Sequence, residues 1–445
     1  MRRKISAKTC SFIAKAGNAH PTRTPNNSAT KIAIVNRDCF KIFSFFSSVG
    51  FKILTRPPLL NYTQKRKFYI IPLGFCYYVL MKIDSFKIEE WMNKYEASAK
   101  YDLTTTCIAP LSINQLPFNS DEIFNVKLGY GDIVGSNRLK TAIQSLYTNQ
   151  ELENITVTHG AIGANQLVFL SLLEKGDEVV SIVPTYQQHY SIPKSLGCDV
   201  KLLFLREENN WLPDLEELEK IVTSKTKLLC LNNPNNPTGS VIPNWMLEKI
   251  VEIAKKNNVW ILSDEVYRGL NLYGNPYSVS IADIYEKGIS VGSMSKTYSL
   301  PGLRVGWVVG RVDLINEINH QRQYNTISVS ILDDYFASVA IENREAIAER
   351  NFKIMKNGLE ILKNWLAKNS DIDCILPTGG TTVLIKYNLD IPSRTFCKEL
   401  QKTTGVALHP GVSLELEGYA RLGFCAENLE PALDKISEYI KSLKQ

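Results

Sequence analysis

At 445 residues the chain has room for two or three domains or for one large two-lobed enzyme. Its 44% hydrophobic and 22% charged content is ordinary for a soluble globular protein. The net charge of +6 does not point to a nucleic-acid binder: residues 1–80 hold fourteen Lys/Arg against Asp38 alone, and the rest is acidic, with 37 Lys/Arg against 44 Asp/Glu.

Residues 1–80 are basic, rich in Ser and Asn, and poor in acid, the composition of an organellar transit peptide. They lack a clear amphipathic Arg helix. Their apolar run FYIIPLGFCYYVL is short for a membrane span and is interrupted by Pro72 and Gly74. Three readings stay open for this extension: upstream sequence outside the mature protein, a transit peptide, or a membrane anchor. At Met81 the text changes to MKIDSFKIEEWMNKYE, which alternates charged and apolar residues as a soluble amphipathic segment does. The body is therefore expected in the cytoplasm, or in an organelle should residues 1–80 act as a transit peptide, with no membrane and no nucleic acid as partner.

From about residue 150, strands and helices alternate. ITVTHG reads as a strand ending in glycine, followed by the helical run AIGANQLVFLSLLEKG; GDEVVSIV and DVKLLFL read as strands with a helix between them. DLEELEKIVTS puts Leu215, Leu218 and Val222 roughly on one helical face, and KLLCLNN is strand-like. In NWMLEKIVEIAKKNN, Leu247, Ile250, Val251 and Ala254 recur at helical spacing, with Asn244 placed to cap the start. VWILSDEV and GISVGSMS are again strands. This alternation predicts a mostly parallel α/β sheet, in which ligands bind at the carboxyl ends of the strands. The polar clusters fall there: His159-Gly160, Asn232 to Gly239, Asp264 and Lys296. After about Asn325 come long helical segments, then LPTGGTTVLIKYN and VALHPGVSLELEGYARLGFC and a closing helix, read as a smaller α+β lobe. The expected division is an N-terminal segment of the small domain over 81–126, a large domain over 127–325 and a small C-terminal domain over 326–445.

The nine cysteines form neither a C-x-x-C pair nor a His/Cys cluster at metal spacing, so no metal site is expected and the thiols read as reduced. Cys107 stands apart because its segment is a candidate substrate loop.

Taken as chemistry, an amine (Lys296), a carboxylate (Asp264), a phenol (Tyr267), an amide (Asn236) and two arginines (Arg304, Arg421) converge on one sheet edge. A lysine can form an imine with an aldehyde cofactor. A carboxylate facing a pyridine nitrogen keeps it protonated. Arginine and hydroxyl groups at a helix N-terminus hold phosphate.

The segments NNPNNPTG (232–239), SDEVYRG (263–269) and SMSKTYSLPGLRVGW (293–307), in that order and spacing, resemble the class I/II aminotransferases, pyridoxal-phosphate enzymes of fold type I. LGYGDIVGSNRLKTAI (128–143) is similar to that family's segment before the first large-domain helix. The resemblance covers about residues 85–440.

It implies that Lys296 is the Schiff-base lysine and Asp264 the partner of the pyridine nitrogen. Asn236 and Tyr267 would bond the cofactor's 3-oxygen. Ser293 and Arg304 would hold its phosphate, together with the backbone N–H groups of Ala161 and Ile162. Tyr186 would stack on the ring, and Tyr130 would reach the phosphate of a neighbouring subunit, which implies a homodimer. Arg421 would grip the substrate carboxylate, with Asn236 beside it. The substrates implied are an amino acid and a keto acid. His159 and His189 read as polar neighbours rather than catalysts.

Two departures stand out. Ile162 occupies a position where the family often has a polar residue, and YDLTTTCIAPLSINQL (101–116) lacks the usual substrate-loop glycine. The latter segment is similar to the branch containing capreomycidine synthase and the enzymes that oxidise arginine. That branch implies cyclisation or oxidation of arginine or hydroxyarginine as an alternative to transamination. A reading from another class, a non-catalytic cofactor-binding sensor fused to a DNA-binding module, meets no helix-turn-helix pattern in residues 1–80 and finds the lysine and both arginines present.

Overall fold

A computed structural model of the chain describes residues 83–444; the transit-peptide, anchor and upstream-sequence readings of residues 1–80 lie outside them. Helix α1 (Lys87–Tyr95) opens the described chain and buries Ile88 and Trp91. Helix α2 (Asn137–Gln144) follows, its first turn capped by the Ser136 hydroxyl, which accepts from the Leu139 N–H at 3.1 Å.

The alternating region forms as its periodicity predicts. Its elements run β1 (Ile155–His159), α3 (Gly160–Leu172), β2 (Glu178–Val183), α4 (Gln188–Ser195), β3 (Asp199–Phe204), α5 (Leu215–Ile221), β4 (Thr226–Asn232), α6 (Asn244–Asn257), β5 (Trp260–Asp264), β6 (Gly288–Ser293) and β7 (Val305–Val309). The seven strands make one sheet in the order β1-β7-β6-β5-β4-β2-β3. All neighbours are parallel except β7, which runs antiparallel to both β1 and β6. The α/β fold with a mostly parallel sheet is thus present.

Asn244 is not a cap: Pro243 holds the N-cap position of α6, without a side-chain cap bond, and Asn244 is the first helical residue. Proline suits a helix start because its missing N–H would find no helical partner there.

Central strands are apolar on both faces because helices cover both. Successive side chains point to opposite sides. Val180, Leu229 and Ile261 therefore enter one core, with Leu247 and Ile250 of α6, and Val179, Leu228 and Leu262 enter the other, with Leu167 and Phe169 of α3. The last residues of these two strands, Asn232 and Asp264, face each other in register at the carboxyl edge.

Helices α7 (Val312–Arg322), α8 (Ile331–Glu342) and α9 (Arg344–Leu366) lead to a four-stranded antiparallel sheet that includes β8 (Thr382–Tyr387) and β9 (Tyr419–Gly423). Helices α10 (Ser393–Thr404) and α11 (Leu429–Ser442) complete the region. Trp91 of α1, Leu103 and Ile108 share one apolar core with Phe396, Leu422 and Ile436. Among the described residues, no helix is long and apolar enough to cross a membrane.

Candidate active site

The carboxyl edge of the sheet opens into a cavity of about 540 Å³, within the roughly 300–1,000 Å³ of small-molecule sites. Three strand ends furnish its chemistry: Asn232 from β4, Asp264 from β5, and Ser293 with Lys296 from β6 and the turn after it.

Lys296 Nζ donates to Thr106 Oγ1 at 2.5 Å and to Cys107 Sγ at 3.2 Å, and stands 6.0 Å from the centre of the Tyr267 ring. Burial works against charge on this amine, but Tyr267 and Cys107 outweigh it and hold the amine above its ordinary range. Asp264 is buried, and its carboxylate accepts from Asn165 Nδ2 at 3.0 Å and from the Val266 N–H at 3.3 Å. His189 Nε2 lies 3.4 Å from Asp264 Oδ2, and its other ring nitrogen pairs with Thr185 Oγ1, so His189 is a neighbour of the carboxylate. His159 is exposed, at the N-cap of α3. Tyr267 and Asn236 also wall the cavity. The Tyr267 hydroxyl donates to the Thr106 carbonyl at 3.4 Å, and burial raises its pKa.

At the start of α3, Ala161 and Ile162 line the cavity. The first N–H groups of a helix have no carbonyl behind them and carry the positive end of its dipole. Arg304 leans over this turn: its Nη2 would lie 2.9 Å from a Cβ added at Gly160. The approach depends on Gly306 of β7, where an added Cβ would lie 2.4 Å from the Gly160 carbonyl carbon and 2.6 Å from the Ala161 nitrogen. Backbone cannot yield there, so Gly306→Ala is expected to destabilise the fold by about 1–3 kcal/mol and to displace the α3 terminus. Urea unfolding with and without pyridoxal phosphate checks this; full cofactor stabilisation in the variant would contradict it.

Tyr186 walls another side, its hydroxyl donating to Glu89 Oε1 at 3.0 Å. Arg421 of β9 is 1% exposed. Its Nη2 donates to the Thr104 carbonyl at 2.9 Å and its Nη1 to Asn236 Oδ1 at 3.2 Å, while its Nε is buried without a partner. Tyr130 is 86% exposed and does not wall the cavity of its own chain.

The sequence reading passed over Asn165, Thr106 and the α1 residues Ile88, Glu89 and Met92, all of which line the cavity. Asn165 could have been found: it lies four residues after Ala161, on the same face of α3.

These groups suit pyridoxal phosphate. An amine can meet its aldehyde, a buried carboxylate its ring nitrogen, and a helix N-terminus with an arginine its phosphate. The orphaned Arg421 Nε suits a substrate carboxylate.

Comparison with known proteins agrees. The family model described as aminotransferase class I and II matches residues 111–436. A crystal structure of a PLP-dependent aminotransferase from Streptococcus suis 89-1591 superposes with a TM-score of 0.79 at 41% identity, covering 82% of this chain and 99% of that one. Capreomycidine synthase of Streptomyces vinaceus is 28% identical over 360 residues, 79% of this chain and 92% of the relative. Aspartate aminotransferase of Thermotoga maritima is 32% identical over 298 residues, 65% of this chain and 76% of the relative.

Proposed function

The chain belongs to the aminotransferase class I and II family and is a pyridoxal-phosphate-dependent aminotransferase of fold type I; from that premise we propose what each cavity residue does and which substrates it takes. When bound, the cofactor supplies an aldehyde for covalent attachment and a ring that takes up the electron pair freed at a substrate carbon. Lys296 is the attachment point, and its Nζ then removes the substrate's Cα proton and hands it on. The Asp264 carboxylate, oriented by Asn165 and the Val266 N–H, holds a proton at the ring nitrogen. The N–H groups of Ala161 and Ile162, with Ser293 and Arg304, bind the phosphate. Tyr186 would wall the ring, while Asn236 and Tyr267 would bond its hydroxyl.

Arg421 takes the α-carboxylate of an L-amino acid. The observation that carries this assignment is its buried Nε, left without a partner in the cavity that Lys296 walls. The division into 81–126 with 326–445, around 127–325, is supported by the core that Trp91 shares with the C-terminal elements. Across the proposed boundary, Phe336 of α8 packs with Leu139 and Trp307 of the large domain. A homodimer is supported by the exposed Phe124, Leu128, Tyr130 and Tyr324; sedimentation as a single chain would count against it. The cytoplasm remains the proposed location.

Incubating the pure protein with single amino acids, with and without a keto acid, tests the reaction. Turnover is expected only when a keto acid is present, followed by product mass. A second reading, cyclisation or oxidation of a cationic amino acid, draws on Glu89 and Glu96, which wall the cavity. Partial burial, then the like charges of Asp102 and Glu89, raise the Glu96 carboxyl, the electrostatics of a site short of one positive charge. Arginine consumed without any keto acid would decide for that reading.

A further inference from the structure

Asn351 of α9 is fully buried and stands outside the cavity wall. Its Nδ2 donates to the Thr297 carbonyl at 2.9 Å, and its Oδ1 accepts from the Ser299 hydroxyl at 3.2 Å and from Arg350 Nη1 at 2.8 Å. Thr297 and Ser299 belong to the turn that carries Lys296, closed at its base where the Leu300 N–H donates to the Met294 carbonyl at 3.0 Å. Ser299 is itself buried and stands in the left-handed region at φ 56°, a conformation that residues other than glycine seldom adopt. Such a backbone persists where its surroundings over-determine it, and these positions cluster at functional sites. Here the Ser299 N–H reaches the Lys296 carbonyl at 3.2 Å, and its own carbonyl accepts from the Leu111 N–H at 2.9 Å. Asn351 takes the hydroxyl. From the adjoining position on α9, Arg350 Nη2 donates to the Ala109 carbonyl at 2.7 Å.

We propose that Asn351 is a positioning residue: from α9 it fixes the backbone of the Lys296 turn and thereby sets where Nζ stands. A lysine amine hangs on a flexible stem, so its reach is decided by where its backbone is held. Without Asn351 the buried Thr297 carbonyl loses its donor, which costs free energy, and Ser299 loses one of the bonds that hold its left-handed backbone. The turn then relaxes, and the amine leaves the place at which it meets the cofactor's aldehyde. A displacement of about 1 Å caused far from the chemistry can lower turnover about 10²-fold. The proposal rests on the reading of Lys296 as the attachment point. Asn351 bonds neither the start of α3 nor Asp264. The loss is therefore confined to the covalent part of cofactor binding.

Urea unfolding of the full chain alone, with pyridoxal phosphate and with pyridoxine 5′-phosphate tests this. Both compounds offer the ring and the phosphate, and only the first has the aldehyde. The dependence of stabilisation on ligand concentration gives each affinity. Asn351→Ala should weaken pyridoxal phosphate by roughly tenfold or more, the size expected of a buried group left unsatisfied, and leave pyridoxine 5′-phosphate level with the wild type. Asn351→Asp keeps the volume and the acceptor for Ser299 and Arg350 but, ionised beside Arg350, has no donor for the Thr297 carbonyl; it should do the same. In a Lys296→Ala background, Asn351→Ala should no longer change the affinity for pyridoxal phosphate, because the two residues act as one unit. Equal weakening of both compounds, an undiminished preference for the aldehyde, an effect that persists without the lysine, or failure of both variants to fold would make Asn351 a packing residue and overturn the proposal. Each of those results, in a protein whose wild type prefers the aldehyde, leaves Lys296 as the attachment point. A wild type with no such preference would overturn that reading, and this proposal with it.

Discussion

Lys296→Ala is expected to lower turnover by at least the roughly 10²–10⁴-fold ascribed to a positioned acid–base group, and further because the attachment point is lost too. The structure says why little else should change. The lysine side chain bonds only Thr106 Oγ1 and Cys107 Sγ, both across the cavity. Its near neighbours in sequence, Met294 and Tyr298, belong to an apolar core that does not depend on Nζ. Asp264, Tyr186 and the α3 terminus stay in place, so the variant should bind cofactor, more weakly and reversibly. Lys296→Arg should not rescue it, because a guanidinium stays protonated and forms no imine. Borohydride reduction of the wild type should leave a pyridoxyl mass on the Lys296 peptide. Near-normal turnover in the alanine variant, or no such mass, would make the loop structural.

The residues that sequence could identify are those whose chemistry is local. Asp264 and Asn232 end strands and Lys296 follows one, so the strand pattern alone puts them at the binding edge. Partners that arrive from far along the chain had no such signature. Thr106 reaches Lys296 across 190 positions, and its stretch carries neither a period nor a turn that announces the meeting.

Strand β7 was hidden for a related reason. VGWVV follows Arg304, which adopts a left-handed conformation at φ 51° after the short Pro301–Leu303 helical turn. That turn sends the chain back antiparallel between β1 and β6, a reversal that composition does not encode. The motif containing Lys296 was legible, whereas the direction of the strand that closes it was not. Asn244 was mistaken for a cap because asparagine favours that position; the proline before it already supplies the turn.

Asp264→Asn is the substitution that separates charge from shape. The amide has nearly the volume of the carboxylate, and its oxygen can still accept from Asn165 Nδ2 or from the Val266 N–H, the two donors that now orient Asp264. The strand end should also survive, because Asn232 Nδ2 bonds the Asp264 carbonyl rather than its side chain. What disappears is the negative charge that would hold a proton at the cofactor's ring nitrogen. In a buried site such a fixed charge does not reorganise during the reaction, and losing one preorganised electrostatic contact costs about 10²–10³-fold in turnover. Stability should move the other way or stay level, within about 1 kcal/mol. A buried carboxylate pays for its desolvation, and the nearest cationic candidate, His189, stands 3.4 Å away. Asp264→Glu restores the charge but shifts it by one methylene from the position that Asn165 Nδ2 and the Val266 N–H now fix, so it should recover only part of the rate. Turnover and urea unfolding measured side by side on the three proteins check the argument. An asparagine variant that unfolds at a clearly lower urea concentration and turns over normally would make Asp264 a strand-end cap, with no part in the chemistry.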